Sequence, residues 1–355
     1  MLSSRLQELT ANIHSRAFVI DSHVDTPLFF KYKDFNIGRK GSIMVAPEDI
    51  GIKADSEVEF EPAVDIPKMN EGMVDAVCMV AYLPQGERTS ECSKEAVKKA
   101  FAIIESIKRQ IRNNSDTVSQ AISVDDLVRN KRSNRKSIFI GVENGYAIGK
   151  DIRNIERLAD DGVIYITLSH NGNNDICDSA IGSVEHNGLS DFGEQAVRSM
   201  NRLGVAIDVS HTSEKTSFDV LNISKLPVIA SHSAVKALCD HPRNISDKLM
   251  KAIADKGGVI QVCLYDRFLK SEGKATVKDA VNHIDYIVRK VGINHAGIGS
   301  DFDGCDSSAG LRGINEFPLL TEELLLRGYE DEDICKILGG NFCRVIEKIQ
   351  SEKTL

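Results

Sequence analysis

The sequence predicts an α/β fold, a closed (β/α)8 barrel in one domain over residues 1–355 with extra helices at the C-terminal end. Two observations predict it. Eight short runs rich in β-branched residues recur along the chain, and helix-length amphipathic segments separate most of them. Six of the eight runs lead into a His or a carboxylate, which is where a barrel enzyme carries its chemistry.

In order, the runs are AFVID (17–21), AVCMVAY (76–82), SIFIGVE (137–143), IYITLSH (164–170), VAIDVSH (205–211), PVIASH (227–232), GVIQVC (258–263) and AGIGSD (296–301). Strands this continuously apolar must be covered on both faces, so they predict a parallel sheet. Helical periodicity marks 92–111, 191–203, 213–224 and 276–291 between strands. Two more helices, 318–328 and 330–350, close the chain, the acidic start of the second matching the positive end of a helix. The polar stretch 31–70 reads as the main irregular segment, an active-site cover or a surface decoration.

Composition narrows the function. A charge of −8, from 44 Lys+Arg against 52 Asp+Glu, argues against a nucleic-acid partner. No window approaches the roughly 18 apolar residues of a membrane span. The charged start MLSSRLQELTANIHSR and the polar end EKIQSEKTL resemble neither a signal peptide nor a lipid-anchor tail, so the expectation is a cytoplasmic protein with no membrane anchor. Eight scattered cysteines without a C-x-x-C pair read as reduced thiols, Cys78 and Cys263 as core. The sequons at Asn113, Asn222 and Asn244 lack a secretory context, and Gly339-Gly340-Asn341 lacks the lysine and preceding strand of a phosphate loop.

The polar strand ends carry the chemistry. Strand one runs into His23 and Asp25, three into Glu143, four into His170, five into His211, six into His232 and eight into Asp301. Residues i and i+2 of a strand share a side, so His23 and Asp25 can hold one cation. His211 and His232, on adjacent strands, can supply nitrogens to a second, and imidazole with carboxylate is a ligand set zinc accepts. Glu143 lies between the two pairs in strand order, where a carboxylate can bridge two metals roughly 3.5–4 Å apart.

These residues sit in stretches that resemble the membrane dipeptidase (renal dipeptidase) family, the M19 metallopeptidases of the amidohydrolase superfamily. The stretches are FVIDSHVDTP (18–27), VDIPKMNEGMVDAV (64–77), GVENGYAIG (141–149), TLSHNGNNDICDSA (167–180), GLSDFGEQAVRSMNRLGVAIDVSHTS (188–213), PVIASHSAVKALCDHPRNISD (227–247), GIGSDFDG (297–304) and LLTEELLLRGYEDEDICKILGGNFCRV (319–345). The resemblance implies a TIM barrel of the metal-dependent hydrolase type. It also implies two Zn2+ per chain, one on His23 and Asp25 and one on His211 and His232, bridged by Glu143 and a hydroxide. It assigns His170 to the substrate carbonyl and oxyanion, Arg243 to the substrate's terminal carboxylate, and Asp301 to proton transfer, with Asp303 the competing acid. The implied activity is hydrolysis of small dipeptides, L,L and L,D. Deacylation of N-acyl amino acids or opening of a lactam or lactone is the alternative for the same centre. A homodimer stays open as a partner. His14, His283 and His295 read as exposed and His241 as a loop brace; the absence of Trp leaves side-chain preference undetermined.

Overall fold

The computed structural model describes residues 2–50, 52–54, 56–305 and 308–354. Eight parallel strands pair in chain order: β1 (Ile20–Val24), β2 (Ala76–Tyr82), β3 (Lys136–Glu143), β4 (Val163–Thr167), β5 (Ala206–Asp208), β6 (Ile229–Ser233), β7 (Val259–Val262) and β8 (Ala296–Ile298). The ring closes just past the last strand. Val24 bridges to Phe302, the Asp25 amide donates to Phe302 O at 2.8 Å, and the Asp301 amide donates to His23 O at 3.1 Å. A further short strand, Val118–Gln120, adds parallel to the start of β3 and is too brief to leave a pattern in the sequence.

The strand interiors divide between two cores. Val77, Met79, Ile138, Ile140, Val142 and Ile207 face outward onto the helices. Alternate residues, Ala76, Cys78, Val80, Phe139 and Ala206, face inward and meet Phe342, Val345, Ile346 and Ile349 of the C-terminal helix Asn341–Ser351. That helix packs with the inner set, which leaves the opposite, C-terminal mouth of the barrel to the polar side chains.

The helices follow their caps. Side chains of Thr89, Ser190, Ser213 and Ser246 each accept a backbone N–H of the first turn, starting Ser90–Asn113, Asp191–Leu203, Glu214–Ile223 and Asp247–Asp255. The segment expected as helix 330–350 is broken. Asp331–Cys335 and Asn341–Ser351 are joined by a π turn, where a Cβ on Gly339 would lie 2.2 Å from Phe18 O, so close passage beneath β1 interrupts the helix. Residues 31–70 are more regular than expected: Ile43–Val45 pairs with Val58–Phe60 in an antiparallel hairpin, and helix Ile66–Glu71 follows.

Two histidines expected outside are buried. His14 bonds Thr321 through Nε2 at 2.8 Å, and His283 accepts the Val235 N–H at 2.9 Å while its Nε2 reaches Leu269 O at 3.0 Å. Both lie on the inner faces of amphipathic helices, where a paired imidazole replaces an apolar residue. Among the described residues no helix is long and apolar enough to cross a membrane.

Candidate active site

Two β-bulges aim the histidines. Ile20 packs in the inner core and Val24 in the outer one, although residues four apart on a regular strand share a face. Between them the register slips, Asp21 opposite Val77 but Val24 opposite Met79, so β1 carries one extra residue and His23 and Asp25 turn inward together. On β6, Ala230 lies opposite Ile260 but Ser233 opposite Val262, and the extra residue lets both Ser231 and His232 face the barrel interior. His211 and Asp301 reach the same space from loop positions with φ of 68° and 66°, left-handed backbone that costs a residue with a Cβ about 1–3 kcal/mol.

Glu143, at the end of β3, stands at the centre. Its Oε2 is 3.5 Å from His23 Nε2, and its Oε1 is 3.2 Å from His211 Nε2 and 3.5 Å from His232 Nε2. Asp25 Oδ2 lies 3.5 Å from His23 Nε2 on the first side. One carboxylate therefore presents a separate oxygen to each of two ligand sets. His170 stands further out, its Nε2 4.0 Å from Glu143 Oε1, with 19% of its side chain exposed at the mouth. All five candidate ligands are buried.

The donor chemistry fits cations. His211 and His232 bring their Nε2 atoms within 2.9 Å of each other, while His211 Nδ1 lies 3.1 Å from Asn171 Oδ1 and His232 Nδ1 2.8 Å from Ser231 Oγ. His23 Nδ1 meets the Tyr165 hydroxyl at 3.0 Å, and that hydroxyl donates to Ser22 O at 3.0 Å, so the phenol oxygen accepts from the imidazole. With Nδ1 spent as a donor, His211 and His232 turn their Nε2 lone pairs toward each other and toward Glu143. His23 Nε2 is buried without a hydrogen-bond partner. A cation on each side of Glu143 would turn these repulsions into bonds, and His23, Glu143 and His232 offer ligand atoms within 4.8 Å of one another, as do Glu143, His170 and His211.

Electrostatics divide the centre between neutral and charged groups. Burial, then Arg243 for His211 and His23 for His232, hold these two imidazoles well below their usual range, the neutral form a metal needs. Burial disfavours charge on Glu143 too, yet His23 and then His211 hold its carboxyl well below the usual range. His23 rises well above its usual value, since Glu143 and Asp25 outweigh the burial that would lower it. Burial raises Asp25 and Asp301, and Glu143 and Asp25 respectively add to it. Bound cations would favour the ionised forms of all three acids.

Of the two competing acids, Asp301 is the one at the centre, grouped with His23 and Asp25. Asp303 instead accepts from Thr26 Oγ1 and from the Ala63 amide, both at 2.7 Å, and so ties the 31–70 segment to the loop after β8. Gly304 has no side chain because a Cβ there would lie 2.2 Å from Asp25 Oδ2 and 2.8 Å from Asp301 Oδ1. Arg243 is 4% exposed and lies over the Phe268 ring at 5.2 Å. It donates from Nη2 to His232 O at 3.1 Å and leaves Nε without a partner. Its neighbour Asp240 pairs with Lys236 instead, so this buried cation keeps donors for a ligand. His241 accepts the Arg243 amide at 3.1 Å and packs its ring against Phe268 at a 43° tilt, the loop-bracing part expected of it.

Sequence reasoning missed the supporting residues. Tyr82 meets the His170 ring edge-on, and Tyr165 lies inside the barrel, its ring in the space a Gly141 Cβ would fill at 2.5 Å. Neither leaves a signal in an apolar run. Asp208 does, as a carboxylate inside the strand VAIDVSH.

Comparison with known proteins agrees with this geometry. The model of the family described as membrane dipeptidase (peptidase family M19) matches residues 7–354. Dipeptidase verJ of Clonostachys rogersoniana is 34% identical over 337 residues, covering 92% of this chain and 85% of its own. Dipeptidase tcpJ of Claviceps purpurea is 34% identical over 297 residues, 81% of this chain and 69% of its own. Among solved structures, the probable dipeptidase PvdM from Pseudomonas aeruginosa superposes with a TM-score of 0.86 at 28% identity, over 98% of this chain and 99% of that one.

Proposed function

The chain belongs to the membrane dipeptidase family, peptidase family M19, and from that premise we propose that it is a zinc-dependent dipeptidase of small L,L- and L,D-dipeptides. The observation that carries the reading is Glu143, with one oxygen toward His23 and the other toward His211 and His232. In this reading His23 and Asp25 hold one ion, His211 and His232 the other, and Glu143 both. Two such ions, when bound, supply an activated water and a Lewis acid for the peptide carbonyl.

The remaining steps belong to the chain. Arg243 receives the substrate's free carboxylate with donors the fold leaves unspent, which favours dipeptides over long peptides. Because that anchor reads only the carboxylate, a D-configured second residue is accepted. His170, at the mouth, donates from Nε2 to the carbonyl oxygen as negative charge develops there. Asp301, whose carboxyl is raised by burial and by Asp25, takes the proton of the attacking water and delivers it to the leaving amine.

The test is a panel of L,L- and L,D-dipeptides, their carboxyl-amidated forms, N-acyl amino acids and a β-lactam, each assayed before and after chelation. Chelator-sensitive hydrolysis of both dipeptide series, with amidated forms at least ~10-fold slower, supports the reading. Faster turnover of acylated amino acids or the lactam would reassign the centre to that chemistry.

A further inference from the structure

Each imidazole at the centre must offer Nε2 as a lone pair, and one of the three is governed by a buried acid that touches neither substrate nor ion. Asp208 ends β5 and is 0% exposed. Four donors converge on it: the Ser210 amide at 3.0 Å and the Ser231 amide at 2.8 Å on Oδ1, and the hydroxyls of Thr167 and Ser231, both at 2.5 Å, on Oδ2. A carboxylate only accepts, so the Ser231 hydroxyl spends its proton on Asp208. The Ser231 oxygen, 2.8 Å from His232 Nδ1, is then left to accept from the imidazole. His232 carries its proton on Nδ1, and Nε2 faces the centre bare.

We propose that Asp208, acting through Ser231, is a positioning residue that locks the His232 tautomer and so sets cation affinity on the His211 and His232 side of Glu143. The inference rests on the two-cation reading. It makes the two sides unequal: His232 is backed by a buried charge through one hydroxyl, whereas His23 is backed by the neutral phenol of Tyr165. The bulge on β6 builds the relay, since it turns Ser231 and His232 inward as neighbours.

Asp208→Asn inverts the relay with little change in shape. The amide oxygen keeps both backbone N–H groups, while the amide nitrogen donates to the Ser231 oxygen. The Ser231 hydroxyl, keeping its proton, then donates to His232 Nδ1, and the single imidazole proton sits on Nε2, where it blocks a cation. The test has two readouts, neither of them turnover. Zinc titration should show Asp208→Asn retaining one ion with the parent's affinity and binding the other at least ~10-fold more weakly. Nitrogen NMR of the metal-free, histidine-labelled protein, with the His232 signal identified by its loss in His232→Gln, should show the proton on Nδ1 in the parent and on Nε2 in Asp208→Asn.

Thr167→Val removes one donor from the same carboxylate and leaves the relay intact, so it should keep both ions. If Asp208→Asn does not fold, Ser231→Ala decides, because it removes the hydroxyl alone and should weaken the same ion. Either relay variant binding both ions within twofold of the parent overturns the proposal, as does an unchanged His232 tautomer in Asp208→Asn. A parent that binds no zinc would instead defeat the two-cation reading, and the tautomer measurement would still judge the relay.

Discussion

Asp301 holds left-handed backbone, φ 66°, in a corner it shares with Asp25, and neither feature favours the folded chain. In the proposed mechanism such a residue is kept for its chemistry. Asp301→Asn preserves shape and the group's place beside Asp25 but carries no exchangeable carboxyl proton. Its turnover should fall by roughly 10²–10⁴-fold, the usual yield of a positioned acid–base group, with both ions retained. Its metal-free melting temperature should rise, because a buried like-charge contact is relieved. Unchanged turnover would remove Asp301 from proton transfer. At this scale His23, Asp25, Glu143, His170, His211, His232 and Asp301 were legible as polar ends of apolar runs. Tyr165 and Asn171 were not, since their parts depend on which side chain lies across the barrel.

Strands and turns decide whether those side chains meet. The same-side rule brings His23 and Asp25 together, as the structure has them at 3.5 Å, but only the bulge in β1 turns the pair inward, and a bulge is a misfit between two strands that one strand's sequence does not encode. The eight barrel strands and most long helices were legible because burial on both faces and helical periodicity are local. The hairpin at 43–60 and the break at Gly339 depend on what passes nearby, Phe18 in the second case. Gly141 in β3 is a similar case. Its missing side chain houses the Tyr165 ring that supports His23, so Gly141→Ala should cost about 1–3 kcal/mol in urea unfolding through overpacking. It should also loosen the ion beside His23. Parent-like stability would show that the ring has room to move.

For the molecule as a whole, burial of titratable groups ties stability to pH. Burial lowers His14 from 6.5 to about 4, against the opposing pull of Met73 and Gly72 carbonyls. A depressed folded value means the stability present above 6.5 is lost as pH falls toward 4, by roughly 3 kcal/mol for this one group. His14→Gln should flatten the decline in melting temperature over that window; an unchanged slope would assign the decline to other groups. His14 is thus one source of acid sensitivity away from the mouth. Diffraction from zinc-grown crystals at the metal's absorption edge tests the paired centre most directly. The account predicts two anomalous peaks flanking Glu143, one against His23 and Asp25 and one against His211 and His232; a lone peak, or none within bonding distance of Glu143, would contradict it.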